Sequence, residues 1–99
     1  MIKLVALFKR PDDVEAFDRH YEDTHSPLMS AVPGLLRMEV TRNLQAFRGD
    51  APYYLVAEMY FADKESFDAA MQSDENRAAG KDLMSFARDY VTMFYGEVD

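Results

Sequence analysis

The side chain best suited to chemistry is that of His25, which lies on the apolar stripe of a predicted amphipathic helix. Steps of three or four residues join the members of this stripe, as on one face of a 3.6-residue helix: Val14, Phe17, Tyr21, His25 and Leu28. His25 should therefore point inward. An imidazole, with an ordinary pKa of about 6.5, suits general acid–base chemistry. The phenol of Tyr21, one turn earlier, could hold a substrate oxygen.

The backbone next to His25 should be irregular. Pro27 has no N–H and clashes with the carbonyl of residue 23, and it pushes Ser26 away from helical geometry. We therefore expect the helix to break or kink close to His25, which would place a polar group in an apolar pocket. The alternative is a core histidine whose nitrogens bond backbone carbonyls. The other histidine, His20, lies off the stripe and is expected to face solvent.

Composition limits the possible classes of protein. Ninety-nine residues predict a single domain spanning residues 1–99. A net charge of −7, from 18 acidic and 11 basic side chains, argues against nucleic-acid partners and anionic membrane surfaces. The absence of cysteine excludes disulfides, thiolate metal sites and a cysteine nucleophile. No apolar run approaches the roughly 20 residues of a membrane span, so we expect a cytoplasmic protein.

The order of predicted elements indicates an α+β fold. Strands are predicted at 2–8, 35–44, 53–61 and 90–98. A first helix starts after Pro11-Asp12-Asp13, and two further helical stretches are capped by Asp63 and Ser73, with a bend or a division into two short pieces near Gly80. This is the ferredoxin-like βαββαβ pattern, in which helices cover one face of a four-stranded antiparallel sheet of order 4-1-3-2.

The face of the sheet without helices should form a homodimer interface. The predicted strand phases place an apolar set on this face: Val5, Leu7, Val56, Tyr60, Val91, Met93 and Tyr95. Apolar patches of that extent are rarely left exposed on a monomer, so two sheets should pack face to face about a two-fold axis. The alternative is that tyrosine hydroxyls and Glu58 make the face polar enough to stay exposed.

The helix-covered face should contain a hollow beside His25. Small side chains are expected at its centre on three neighbouring strands, at Ala6, Ala57 and Thr92, with larger ones around them. A mostly apolar cavity with two or three polar groups is the usual small-molecule site. The residues expected to contact a ligand there are Tyr21, Leu4, Ala6, Ala57, Met59, Tyr90 and Thr92. The alternative is that Phe17 and Phe86 fill the space.

Other chemistries find less support in the sequence. The four glycines form no phosphate-binding loop. Glu22 and Asp23 would point away from the stripe of His25, so we expect no metal site. No Ser/His/Asp triad can be argued from the spacing.

The segment Tyr21-x3-His25-x-Pro27-Leu28, the turn Pro33-Gly34-Leu35 and Phe86 before the last strand together resemble the EthD-like family of the dimeric α+β barrel superfamily. The resemblance spans nearly the whole chain. It implies a ferredoxin-like monomer, a dimer with a barrel between the sheets, and a pocket between each sheet and its helices. Relatives include dehydratases, cofactor-free cyclases, isomerases and monooxygenases, and haem-degrading enzymes.

The resemblance is uneven across these relatives. The haem-degrading branch uses a tryptophan, which this chain lacks. The cyclase branch places histidines on strands where this chain has Ile2 and Leu55, which disfavours a mechanism with several histidines.

Two functions are consistent with these observations. The first is a cofactor-independent lyase or isomerase, of dehydratase or cyclase type, acting in catabolism or secondary metabolism. It would act on a small apolar or aromatic carbonyl compound, with His25 as general acid/base and no cofactor. The second is a non-catalytic accessory protein that binds a small hydrophobic molecule.

Overall fold

The computed structural model describes residues 1–99 and has the predicted βαββαβ order. The strands are β1 (Ile2–Phe8), β2 (Leu35–Arg42), β3 (Leu55–Phe61) and β4 (Val91–Glu97). The helices are α1 (Val14–His20), a π-helical turn (Tyr21–His25), α2 (Ser26–Ser30), α3 (Lys64–Met71) and α4 (Asp74–Ala87).

The four strands form one antiparallel sheet of order β2-β3-β1-β4, which confirms the predicted ferredoxin-like topology. Ala6 at the centre of β1 lies opposite Ala57 on β3 and Met93 on β4. β2 is an edge strand, and a bulge displaces its exposed Leu36. The register therefore sets two alanines side by side under the helices.

Side-chain caps begin the helices where the sequence predicted them. The carboxylates of Asp13 and Asp63 accept hydrogen bonds from the third backbone N–H of α1 and α3, and the Ser73 hydroxyl does so for α4. The bend predicted near Gly80 is wrong, because α4 runs unbroken from Asp74 to Ala87. A glycine inside a helix costs only about 1 kcal/mol relative to alanine, and burial of the apolar stripe of α4 offsets that cost.

The helix does not break at Pro27, and the irregular backbone expected close to His25 is a π-helical turn that ends at that residue. Ser26 keeps helical angles, with φ −59° and ψ −44°, and its N–H bonds the Tyr21 carbonyl five residues back. The wider turn shifts the hydrogen-bond pattern just before Pro27, which accommodates a residue that has no N–H to donate. The chain stays helical from Val14 to Ser30.

The π-helical turn also keeps one face of this long helix buried. Its buried side chains are spaced by four residues: Phe17, Tyr21, His25 and Met29. In a regular α-helix each four-residue step overshoots the face by about 40°, and one wider turn corrects that drift. His25 therefore points at the sheet as predicted.

The predicted assignment of the β4 side chains to the two faces of the sheet, which is the phase of the strand, is wrong by one residue. Pairing of Leu4, Ala6 and Phe8 with β4 turns Tyr95, Met93 and Val91 toward the helices and leaves Thr92 and Phe94 on the opposite face. Both alternating sets of β4 are largely apolar, so hydropathy could not choose between them, and a shift of one residue exchanges the faces.

The helix-free face is consequently less apolar than predicted. Its apolar part consists of Val5, Leu7, Val56 and Phe94. Beside that part, the Lys3 ammonium pairs with Glu58 at 3.0 Å, and the Tyr60 hydroxyl donates to Glu39 at 2.8 Å.

None of the helices is both long and apolar enough to cross a membrane. The cytoplasmic location stays a prediction.

Candidate functional site

A cavity of about 280 Å³ lies between the sheet and the helices, beside the paired Ala6 and Ala57. Twelve of its 15 lining residues are hydrophobic, and Tyr21, His25 and Asn76 bring polar atoms to it. The lining residues are Leu4, Ala6, Phe8, Tyr21, His25, Met29, Ala57, Met59, Met71, Asn76, Ala79, Gly80, Leu83, Met84 and Met93. Its size is close to the lower end of ligand sites, roughly 300–1,000 Å³, and suits a small molecule.

His25 is buried, with 4% of its surface exposed, and its ring is held in one orientation. Its Nδ1 lies 3.1 Å from the Asp82 Oδ2. Because a carboxylate can only accept, Nδ1 carries the hydrogen, and the neutral ring leaves a lone pair on Nε2. His25 Nε2 bonds no group of the chain, and no polar side-chain atom is fully buried without a partner. Nε2 therefore reaches accessible space, which is the cavity that His25 lines.

The Tyr21 hydroxyl is a second polar group available to the cavity. Tyr21 is 2% exposed, and its ring centroid lies 5.3 Å from that of His25. Its hydroxyl bonds no group of the chain yet is not fully enclosed, so it too can contact a molecule in the cavity. Burial raises the pKa of Tyr21 to about 12, although the Arg42 guanidinium opposes that shift. The phenol is a hydrogen-bond donor throughout the physiological range.

Asp82 on α4 joins the two histidines of the chain. The Asp82 Oδ2 accepts a hydrogen bond from His25 Nδ1. The His20 Nε2 lies 2.9 Å from Oδ1 and 3.1 Å from Oδ2 of the same carboxylate. His20 lies off the stripe and its side chain is one-third exposed, but its ring also contacts Asp82, which was not expected. His20 is the last residue of α1 and lies on the side of that helix that faces α4, where its ring contacts the Asp82 carboxylate.

Burial is the largest influence on the charge of His25. Removal from water lowers the pKa of His25 below its ordinary value, and the nearby His20 adds to that effect. The hydrogen bond and negative charge of Asp82 raise the pKa of His25 but do not cancel the effect of burial. The ring is therefore neutral at pH 7 and available as a base.

The aromatic side chains that could have filled the hollow pack beside it instead. Phe86 stacks at an angle against His20 and His25, with ring centroids 4.4 and 5.3 Å away, and also contacts Phe17 at 5.6 Å. Neither Phe17 nor Phe86 lines the cavity. The filled-core alternative is therefore wrong.

The structure brings together most of the ligand-contacting residues predicted from the sequence. Leu4, Ala6, Ala57, Met59 and Tyr21 line the cavity with His25.

Two predicted residues lie elsewhere. Thr92 projects from the opposite face of the sheet because of the β4 phase, and Met93 takes its place. Tyr90 precedes β4 and lines a surface groove with Pro11, Asp12 and His20, so it does not reach the cavity.

Sequence reasoning missed the whole contribution of α4. Asp82 lies three residues after Ala79 and four before Phe86, which places it beside the inner stripe of that helix, formed by Ala79, Leu83 and Phe86. That spacing was the available signal. Asn76, Gly80 and Met84 on the same helix also contact the cavity. No group of three or more His, Cys, Asp or Glu side chains is arranged to hold a metal ion.

Comparison with known proteins identifies the family. The family model described as the EthD domain matches residues 9–89. The chain belongs to the EthD family. It is similar to an uncharacterised 11.0 kDa protein from the thcB–thcC intergenic region of Rhodococcus erythropolis, with 31% identity over 96 residues. That match covers 96% of this chain and 92% of the relative.

A solved structure agrees with this EthD assignment. An ethyl tert-butyl ether D family protein from Bacillus halodurans is 46% identical, with a TM-score of 0.96 over 100% of this chain and 99% of that one. A dimeric ferredoxin-like protein of unknown function from Jannaschia sp. is 20% identical, with a TM-score of 0.72 over 99% of this chain and 100% of that one. The second likeness shows the shared fold alone.

Proposed function

We propose that this EthD-family chain is a cofactor-independent lyase or isomerase of dehydratase or cyclase type, acting on a small apolar or aromatic carbonyl compound. The observation that carries the proposal is the buried His25, whose Nδ1 is held by Asp82 while Nε2 is left to an apolar cavity. A neutral imidazole in this setting is a general base aimed at a bound molecule.

The first step is removal of a proton from the carbon next to the substrate carbonyl. His25 Nε2 takes the proton, and the C–H electron pair forms a carbon–carbon double bond as the carbonyl oxygen becomes an enolate. The Asp82 carboxylate then stabilises the imidazolium through the Nδ1 hydrogen bond. The apolar walls strengthen this attraction because little water screens it.

The second step returns the proton from His25. Where a neighbouring carbon–carbon double bond extends the enolate, delivery of the proton to the far end of the extended system shifts the double bond and completes an isomerisation. Delivery to a hydroxyl on the neighbouring β-carbon releases water as the enolate collapses, which completes a dehydration. No electrons are gained or lost in either route, so neither an oxidant nor a reductant is required.

Tyr21 stabilises the enolate oxygen in both routes. Its phenol keeps its proton because its pKa is raised to about 12, so it can donate a hydrogen bond to the developing negative charge. Tyr21 lies next to His25 in the lining of the cavity, with ring centroids 5.3 Å apart, which supports a role for both side chains at one bound molecule.

The alternative function is binding without turnover. The predominance of hydrophobic side chains, 12 of 15 around the cavity, favours it, because such walls hold an apolar molecule without any chemistry. Native mass spectrometry of freshly purified protein, combined with NMR of the released compound, separates the two functions, because an isomerisation product has the same mass as its substrate. An added compound that is bound and never altered supports binding alone, whereas a distinct product supports catalysis.

We further propose that the chain forms a homodimer through the helix-free face of its sheet. The apolar part of that face, around Val5 and Phe94, supports this arrangement, as does the dimeric state of the similar Jannaschia protein. The cavity lies on the other face of the sheet, so each protomer would keep its own site.

Proton exchange tests the catalytic proposal without knowledge of the natural substrate. We expect the protein to accelerate exchange of the α-protons of 1-tetralone with D₂O, measured by NMR. His25→Ala should remove roughly 10²- to 10⁴-fold of any acceleration. Thr24→Ala, on the exposed side of the same π-helical turn, is the matched control and should exchange at the wild-type rate. Equal rates for wild type and His25→Ala would exclude His25 from the mechanism.

A further inference from the structure

The glycine in the middle of α4 has no evident structural requirement. Gly80 has no positive φ, and a Cβ built on it meets no atom within 4 Å. Glycine is also among the poorest residues for a helix interior. Neither backbone geometry nor close packing therefore explains why a side chain is missing at this position.

The location of Gly80 suggests a reason. On α4, Ala79 and Leu83 are buried against the cavity, whereas Asn76, Gly80 and Met84 follow one another at four-residue spacing along its outer rim. Gly80 is the middle member of this rim row, so the row has a gap between its two side chains.

The opposite side of the rim is formed by β4 and the end of α3. Met93 on β4 is 44% exposed and Met84 on α4 is 40% exposed, yet both line the cavity whose inner residues are buried. Met71 at the end of α3 is half-buried beside them. The cavity therefore opens to solvent between α4 and β4, at the level of Gly80.

We propose that Gly80 is the specificity-determining residue of the entrance, and that its missing side chain admits ligands with two fused rings. This inference rests on the proposed function, since it presumes that the cavity takes up a small molecule. A side chain at position 80 would project into the opening, where it displaces ligand volume and no protein atom.

The flexible side chains around the opening are consistent with this role. Met71, Met84 and Met93 are unbranched and can adjust to different ring shapes, whereas the helix backbone at Gly80 cannot move aside. The Asn76 amide donates from Nδ2 to the Met71 carbonyl at 3.2 Å, so its Oδ1 remains free to accept from a hydroxyl on the ligand.

Two aryl ketones that differ by one ring test the proposal: acetophenone and 1-acetonaphthone, titrated into the full-length protein and followed by NMR. We expect wild type to bind both. Gly80→Leu should weaken binding of 1-acetonaphthone by about tenfold or more, and binding of acetophenone much less. Gly80→Ala should lie between wild type and Gly80→Leu. Ala78→Leu adds the same side chain on an exposed position of α4 and should bind both ketones as wild type does.

Thermal unfolding supplies a readout that a structural glycine would not give. If Gly80 serves the entrance, Gly80→Ala should raise the Tm by about 4–8 °C, because alanine is the better helix former and its Cβ meets no neighbour. A lower Tm for Gly80→Ala would show that the fold needs the glycine and would overturn the proposal.

The remaining outcomes are separable. If wild type and Gly80→Leu bind both ketones equally well, the role of Gly80 is wrong while ligand binding in the cavity stands. If wild type binds neither ketone, the proposal that the cavity binds aryl ketones is wrong, and so is the proposed role of Gly80 at its entrance.

Discussion

The Asp82 carboxylate holds the His25 ring by a hydrogen bond of 3.1 Å to Nδ1, although 57 residues separate the two in sequence. The bond joins the π-helical turn to α4 and decides which nitrogen of His25 faces the cavity. It also supplies a negative charge that a protonated His25 would need inside an apolar site.

Replacement of Asp82 by asparagine tests its role as a positioning residue. Asp82→Asn keeps the shape but removes the charge that raises the pKa of His25, so the pKa of His25 should fall further. The acid limb of the pH–rate profile for 1-tetralone exchange should shift to lower pH. The rate should fall by less than the roughly 10²- to 10⁴-fold expected for loss of the imidazole itself.

Asp68→Asn is the matched control for Asp82→Asn, because it removes a carboxylate from an exposed ion pair with Lys64. It should leave both the pH profile and the rate unchanged. A profile for Asp82→Asn that coincides with that of wild type would contradict a positioning role, even if the protein were less stable.

The lowered pKa of His25 predicts a loss of stability in acid. Because the folded state binds this proton less readily than the unfolded chain, the contribution of His25 is fully present above its ordinary pKa of about 6.5. It is lost as the pH falls below that value. Urea denaturation at a series of pH values should show the free energy of unfolding decreasing more steeply between pH 6.5 and 5 for wild type than for His25→Gln.

The charged groups that face His25 are the same in wild type and in His25→Gln, so they do not cause a difference between the two stability curves. Asp82 raises and His20 lowers the pKa of His25, and both residues remain in His25→Gln. Parallel curves for the two proteins would show that His25 does not contribute to the acid sensitivity.

Removal of the Tyr21 hydroxyl should affect chemistry more than folding. The hydroxyl bonds no group of the chain, so Tyr21→Phe should leave the free energy of unfolding nearly unchanged. Exchange of 1-tetralone should slow by the equivalent of one hydrogen bond to a charged oxygen, about 1.5–3 kcal/mol in activation free energy.

Tyr54→Phe is the control for Tyr21→Phe and should show the opposite pattern, in which stability is lost and the exchange rate is kept. The buried Tyr54 hydroxyl donates to the Asp18 carboxylate at 2.8 Å, so its removal should destabilise the fold by about 1–3 kcal/mol without slowing exchange in the folded protein. If Tyr21→Phe destabilised the fold and left the exchange rate intact, the role given to Tyr21 would be wrong.

The proposed homodimer predicts sensitivity at one strand position. Phe94 on the helix-free face is 51% exposed in the single chain. Phe94→Glu would place a charge in the proposed interface, so sedimentation should change from dimer to monomer. Phe47→Glu, in a loop where the ring is fully exposed, should remain dimeric. Identical sedimentation of the two variants would exclude this face as the interface.

The elements and their order could be predicted because local signals agree with the fold. Asp13, Asp63 and Ser73 cap their helices, and the strands alternate or are apolar throughout. The phase of β4 was predicted wrongly because large apolar side chains occur in both of its alternating sets, Val91 and Met93 in one and Phe94 in the other. Only pairing with β1, a contact distant in sequence, selects the correct face.

Local periodicity in the sequence also made part of the candidate site predictable. His25 and Tyr21 share a helical stripe, and Ala6 and Ala57 fall at strand centres, so local periodicity was enough. Asp82 was missed because a charged residue at the border of an apolar stripe ordinarily faces water. Its partners become visible only once α4 packs against the first helix.

The π-helical turn makes the site sensitive to chain length as well as to composition. Tyr21–His25 is equivalent to one residue inserted into an otherwise regular helix. Deletion of one exposed residue there, such as Thr24, would allow the regular helix to re-form with the histidine three positions after Tyr21, a spacing that keeps both on one helix face. Insertion of one residue would instead put the two side chains five positions apart, about 140° around a regular helix, and turn the imidazole away from Tyr21. An EthD-family chain can therefore be one residue shorter at this point and keep its histidine in the cavity, but not one residue longer.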